Sequence, residues 1–439
     1  MSCSEHGLRS EFFFNPNLSG QPALTRIDPN VDFLWNNISP APGIPVEGYS
    51  IRWSGSLVPP VDGDYRLGAA SDGGFRLYLD NKLLIDDWTL YGQRGERSFT
   101  VPVHLQAGHA YPIKFEYFRR FRESYARLLW LRPNLEDEAL AAGRKSDVII
   151  AVVGISADLE GEERDNSDPG FFGGDRTDIG LPRTQEHLLE ALASTGKPLI
   201  VVLTSGSAVA INWANEHAAA ILAAWYPGEE GGTAVADVLS GDYNPAGRLP
   251  ITFCKSVAQL PPFTSYSMAN RTYRYSTETA LFPFGFGLSY SSFSYSNAVA
   301  AHAFAGSKPV SIESSAPNSS PNEFRVDSHD ATSISATVTN TTAVAGDEVA
   351  QLYITHPGVD GAPLHALVGF RRIHLDARAS GTVSFLLTPR ELSIVNPQGE
   401  RFVPVGPVDL WIGSSQPNTP SKSGVALHLS ITTTTPVPN

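Results

Sequence analysis

Residues 158 to 182, DLEGEERDNSDPGFFGGDRTDIGLP, hold eight Asp or Glu and come shortly after the apolar run DVIIAVVG. Paired carboxylates are the groups that cleave glycosidic bonds. One, protonated, donates to the leaving oxygen, while the other attacks the anomeric carbon or activates water. A carboxyl group raised in pKa on a loop able to reach a bound ligand suits the acid role. Taken singly, each of these carboxylates is more simply a solvated or paired surface group. Other chemistries fit less well. GISADLEG lacks the GxGxxG spacing of a dinucleotide loop, and the chain has no GKS or GKT. Ser205 and Ser207 follow an apolar run in TSGSA, which is not the GxSxG elbow of a serine hydrolase. Asp158, Glu160, Glu162 and Asp165 do not complete a twelve-residue calcium loop.

The elements around this loop change period twice along the chain. Residues 7–133 read as short strands separated by turn chemistry, including GFRLYL and KLLIDDW joined at Asp80-Asn81. The pattern predicts an all-β sandwich or barrel. Residues 134–295 alternate helix and strand. LEDEALAAGRK, TQEHLLEALASTG and GGTAVADVLSG are helical, with Leu188, Leu189 and Leu192 on one face of the second. DVIIAVVG, PLIVVLTSG and AAILAAWYPG read as strands of a mainly parallel sheet, the first two buried, as in an α/β layered domain. A Ser-, Ala- and Pro-rich linker or domain entry spans 296–324. Residues 325–432 again show strands at sandwich spacing, and 433–439 read as a disordered tail. In an open α/β sheet ligands bind beyond the carboxyl ends of the strands, and the acidic loop follows one such end.

Composition narrows the partners. A formal net charge of -13 argues against nucleic acid. Cys3 and Cys254, the only cysteines, form no metal-ligand spacing, so neither a disulfide framework nor a metal site is expected, and no cofactor is implied. No apolar stretch approaches the roughly 20 residues of a transmembrane helix, so no membrane is expected. The first residues show no signal-peptide pattern, which leaves location open.

Long ordered stretches carry a family resemblance. EGEER at 160–164, LPRTQEHLLEAL, PLIVVLTSGSAVAINWA, AILAAWYPGEEGGTAVADVLSGDYNPAGRLPITF and RTYRYSTETALFPFGFGLSYSSFSYS resemble the C-terminal α/β-sandwich domain of glycoside hydrolase family 3, the β-glucosidases and β-xylosidases. AGDEVAQLYITHP and LVGFRRIHL resemble the family's fibronectin type III-like domain. SGSLVPPVDGDYRLGAASDGGFRLYLDNKLLIDDW resembles the PA14 module inserted in some members.

The resemblance implies a retaining β-glycosidase acting on terminal β-linked sugars. Glu160 matches the family's general acid/base best, in Glu160-Gly161-Glu162-Glu163-Arg164, with Glu162 and Glu163 as rivals because an acidic residue takes the usually aromatic third place. Arg164, Asp175 and Arg176 are candidates for orienting the loop or shaping the entrance to the site. The family's nucleophile is an Asp on an N-terminal (β/α)8 barrel, and nothing in this chain resembles that barrel. The expectation is therefore the C-terminal part of a larger enzyme, inactive alone or completed by a partner chain. Relatives of the family are often secreted or periplasmic. Two rivals stay open: a non-catalytic carbohydrate-binding or adhesion protein, and an accessory subunit completing a separate barrel protein. In the PA14-like part, Ser71-Asp72-Gly73-Gly74 offers one Asp where sugar-binding modules pair two, and Asp86-Asp87 reads as a turn closure. A role in walling the active site is expected of it rather than calcium-dependent binding. Glu229 and Glu230 are expected to cap a helix.

Overall fold

In a computed structural model, residues 6–35, 38–88, 97–119, 124–157, 159–160, 169–173, 175–302, 324–326, 331–417, 419 and 423–437 are described. They belong to two compact units. The first comprises residues 1–149, 157–176 and 190–197, the second 150–156, 177–189 and 198–439.

Among the described residues of the first unit, ten strands form two antiparallel sheets. The larger includes Leu8–Phe13, Ser50–Leu57, Tyr111–Phe118 and Gly74–Leu79, and the smaller Gly63–Ser71, Tyr125–Leu131 and Arg97–Leu105. Alternating apolar residues point inward from both. Phe12, Trp53, Phe75 and Phe115 from one sheet meet Tyr65, Leu67 and Ala126 from the other in a single core. Trp53 also donates through Nε1 to Asp28 Oδ2 at 2.8 Å, so its polar end is not stranded by burial. The hairpin expected at Asp80-Asn81 joins Gly74–Leu79 to Lys82–Asp87. Both turn residues have positive φ, which the right-handed twist of a two-residue hairpin favours and Asn and Asp tolerate.

The strands Ile149–Gly154 (from Ile150 on in the second unit), Leu199–Thr204 and Ala220–Ala223 lie side by side in that order, the last two parallel. Leu199–Thr204 is the best covered of the three. The first strand is not buried on both faces as its unbroken apolar run predicts. Ile149, Ala151 and Val153 are buried, but Ile150 and Val152 are 49% and 65% exposed. The strand's side chains alternate, and at the sheet's edge only one face finds cover. All three helices expected in this region form, at Leu135–Lys145, Arg183–Ala193 and Gly231–Ser240, and Leu189 and Leu192 of the second are buried.

The rest of the second unit is a β-sandwich. Phe293–His302, Thr332–Asn340 and Ser380–Leu387 face a five-stranded sheet built around Gly346–Thr355 and Gly406–Gly413. Thr332–Asn340 alternates buried and half-buried residues without a break, and Ile334 and Val338 pack with Leu352, Leu410 and Ile412. Phe293–His302 begins just before the stretch read as a linker and runs into it, and most of that stretch lies outside the described residues. Thr435–Pro436, within the stretch read as a disordered tail, pairs with Arg401–Val403.

Candidate active site

The strand Ile149–Gly154 ends where the chain cannot carry a side chain. Gly154 has φ 149°, and a Cβ there would lie 1.6 Å from the Thr204 carbonyl oxygen. The peptide is gripped from the opposite side by Gln185, in the first turns of Arg183–Ala193. Gly154 N donates to Gln185 Oε1 at 2.7 Å, and Gln185 Nε2 donates to the Gly154 carbonyl at 2.8 Å. Ile155 N donates to the Thr204 carbonyl at 2.9 Å. This grip fixes where the acidic loop starts, and sequence reasoning missed Gln185. A Gln on the helix after a Gly-ended strand was the available signal, because a side-chain amide can both donate to and accept from the backbone of one residue.

Six residues after Gly154 in the chain, Glu160 is half-buried in a turn. Its rivals Glu162 and Glu163, and Arg164, lie outside the described residues, as do Asp158 and Asp165. Asp175 and Arg176 form one strand of a two-residue hairpin, paired with Phe172 and Phe171. Asp175 is exposed and Arg176 half-buried.

Other residues singled out by the sequence have structural partners. Ser205 is buried, and its hydroxyl donates to the Ser207 carbonyl at 2.9 Å while accepting from Ser207 N at 3.2 Å, a closed local turn. Glu230 stands at the start of Gly231–Ser240, but its carboxylate accepts from the Thr233 hydroxyl at 3.2 Å and not from a backbone amide. Asp86 takes Arg76 Nε at 3.1 Å and Trp88 N at 3.2 Å, the turn closure expected of it. Asp72 Oδ1 accepts from Tyr125 N at 2.9 Å and the Tyr117 hydroxyl at 3.1 Å. Burial pushes its carboxyl up to about 6, against the lowering effect of those donors.

Asn244 and Arg248, in GDYNPAGRLP, join this part of the second unit to its β-sandwich. Asn244 Nδ2 donates to Ser291 Oγ at 2.8 Å and the Ala345 carbonyl at 2.9 Å. Arg248 pairs with Glu348, and Gln351 Nε2 donates to the carbonyls of Gly285 and Ser414 at 3.0 and 2.7 Å. Among the described residues no group of three or more His, Cys, Asp or Glu is arranged to hold a metal ion, and no helix is long and apolar enough to cross a membrane. A cavity of about 290 Å³ lies in the second unit, and Glu160 is not among its walls.

Comparison with known proteins supplies the identity of these parts. Residues 36–290, more than half of the chain, match the model of the glycosyl hydrolase family 3 C-terminal domain, and residues 348–416 match the fibronectin type III-like domain. The chain is 34% identical over 400 residues to a xylan 1,4-beta-xylosidase of Xylanibacter ruminicola, covering 88% of this chain and 42% of that protein. It is 36% identical over 290 residues to a periplasmic beta-glucosidase of Salmonella typhimurium, covering 63% of this chain and 35% of the other. The crystal structure of a beta-glucosidase from Kluyveromyces marxianus shares its fold, with a TM-score of 0.72 at 24% identity over 98% of this chain and 50% of that one. The chain thus spans half or less of the length of each. On the match to residues 36–290, the chain belongs to the glycosyl hydrolase family 3 C-terminal domain family.

Proposed function

We propose that this chain is the acid/base-bearing part of a retaining β-glycosidase that removes terminal β-linked glucose or xylose. Its nucleophile would be an Asp on a (β/α)8 barrel, carried by the same polypeptide or by a partner. Glu160 is the acid/base. In the first step its carboxyl proton passes to the leaving oxygen as the nucleophile carboxylate bonds to the anomeric carbon and the glycosidic bond breaks. In the second its carboxylate takes a proton from the water that displaces the enzyme carboxylate. Arg164, Asp175 and Arg176 orient this loop or line the entrance to the site. The N-terminal β-sandwich is a PA14-type module.

The observation that carries this reading is Glu160 itself, half-buried on the loop that follows the Gly154-ended strand, inside the stretch matched by the family model. The printed names of the relatives, a β-xylosidase and a β-glucosidase, support the substrate class. The test is hydrolysis of aryl β-glucosides and β-xylosides by this chain, alone and mixed with a family 3 barrel. Turnover that appears with the barrel and falls by a factor of about 100 or more in Glu160→Gln is the expected result. Equal rates for Glu160→Gln and the unmodified chain would assign the role to another residue, with Glu162→Gln and Glu163→Gln as the next variants.

A further inference from the structure

The cavity of about 290 Å³ is enclosed by the short helix Thr272–Tyr275, the end of Gly346–Thr355, the start of Ala366–Leu375 and the segment from Arg390 to Arg401. It has room for about ten waters, or for one molecule the size of a monosaccharide. Three arginines line it, Arg274, Arg390 and Arg401, against one acid, Glu391. In a chain of net charge -13 this is a marked local excess of positive charge. Among the described residues none of the three guanidiniums has a carboxylate within ion-pair distance, Glu391 included. Glu391 Oε2 instead accepts from the backbone N and hydroxyl of Thr388.

Two polar atoms lie buried behind this wall. Arg401 Nη1 donates to Ser393 Oγ at 3.1 Å, but its Nε is buried with no acceptor among the described residues. His356 is buried, and its Nε2 also lacks a partner among them. Burial holds the His356 imidazole far below its ordinary range, at about 4, so near neutrality it is an uncharged hydrogen-bonding group. The Tyr273 ring, stacked on Phe284 at 4.1 Å and fixed by Leu367 N donating to its hydroxyl at 3.0 Å, is a rigid apolar side of the same cavity.

We propose that this cavity is a binding site for a small anion, a ring-sized molecule bearing one carboxylate or phosphate group, held by Arg274, Arg390 and Arg401. A guanidinium fork matches either oxyanion in two parallel hydrogen bonds. The body of the ligand lies against Tyr273 and the aliphatic residues beside it. This site is independent of glycosidase activity.

Titration calorimetry of the whole chain with glucuronate, glucose 6-phosphate, inorganic phosphate and glucose tests the proposal. Saturable binding of glucuronate or glucose 6-phosphate, with glucose silent, is expected, and the stronger of the two identifies the oxyanion. Arg401→Gln should weaken it by about tenfold or more, the loss of a charge-assisted hydrogen bond. Arg274→Gln changes an exposed side chain with no hydrogen bond of its own among the described residues, so it keeps the test valid if Arg401→Gln fails to fold. Binding of glucose as tight as that of the anions would overturn the proposal. So would silence from all four ligands at millimolar concentration, binding of inorganic phosphate alone, or unchanged affinity in Arg274→Gln.

Discussion

Arg248 Nη2 meets Glu348 Oε2 at 2.7 Å, with the arginine side chain 9% exposed and the glutamate fully buried. The pair joins two stretches one hundred residues apart, the GDYNPAGRLP segment and the start of the sandwich strand Gly346–Thr355. The other carboxylate oxygen accepts from the Tyr295 hydroxyl at 2.6 Å, and Arg248 Nε donates to the Ser414 carbonyl at 3.2 Å. Burial pushes the Glu348 carboxyl up, and Arg248 and Tyr295 only partly reverse this. The ion pair therefore fixes geometry more than it adds net stability.

Removing one partner should be worse than removing both. Glu348→Ala leaves a buried guanidinium uncompensated and should cost about 3–5 kcal/mol. The double variant Arg248→Met with Glu348→Leu should recover much of this. Denaturant unfolding of the two variants checks it, and equal losses in both would contradict it.

Gly154→Ala should destabilise by about 3 kcal/mol or more, since the new Cβ meets the Thr204 carbonyl and the residue must hold a positive φ. Gln185→Ala removes both side-chain hydrogen bonds to the Gly154 backbone and should cost about 1–3 kcal/mol. Thermal unfolding ranks the pair. In the barrel-supplemented assay, Gln185→Ala should lower kcat more than it raises KM, because it displaces the start of the Glu160 loop.

Asp72 gives a pH signature in the N-terminal sandwich. Its folded carboxyl titrates at about 6 against an ordinary 3.8, so the folded chain binds the extra proton between those values. The stabilisation is fully present below 3.8 and is lost as pH rises through 6. Asp72→Asn should flatten that slope, by about 1 kcal/mol after allowance for partial exposure. Stability curves of both forms from pH 4 to 7 measure it.

His356 gives the opposite sign. Its folded imidazole titrates at about 4 against an ordinary 6.5, so the unfolded chain binds more protons in between. The stabilisation is present above 6.5 and is lost as pH falls through 4. His356→Gln should make acid unfolding of the fibronectin-like part shallower over that range, by about 1–3 kcal/mol. Following Trp411 fluorescence in a background whose six other tryptophans are replaced by Phe isolates it, since Trp411 lies in the five-stranded sheet of this sandwich.

Much of the architecture was legible because period and turn chemistry are local. The alternation of Thr332–Asn340 and the Asp80-Asn81 hairpin need no knowledge of distant residues. The cover over a strand is not local. The run DVIIAVVG reads as buried on both faces, yet whether Ile150 and Val152 are covered depends on elements far away in the chain. The same holds around the acidic loop. The loop itself was legible as a string, and the grip of Gln185 on Gly154 was not, because it joins residues 31 apart through side-chain geometry. Asn244 and Arg248 stood out as a family string, but their partners lie about one hundred residues on.

The bare side chains of Ile150 and Val152 also set how the chain behaves as a colloid. An apolar edge strand invites pairing with another copy, and the barrier against this is the mutual repulsion of molecules carrying a formal charge of -13. That repulsion reaches about 30 Å at 0.01 M salt but only about 8 Å at physiological ionic strength. Raising salt should therefore promote self-association of this chain.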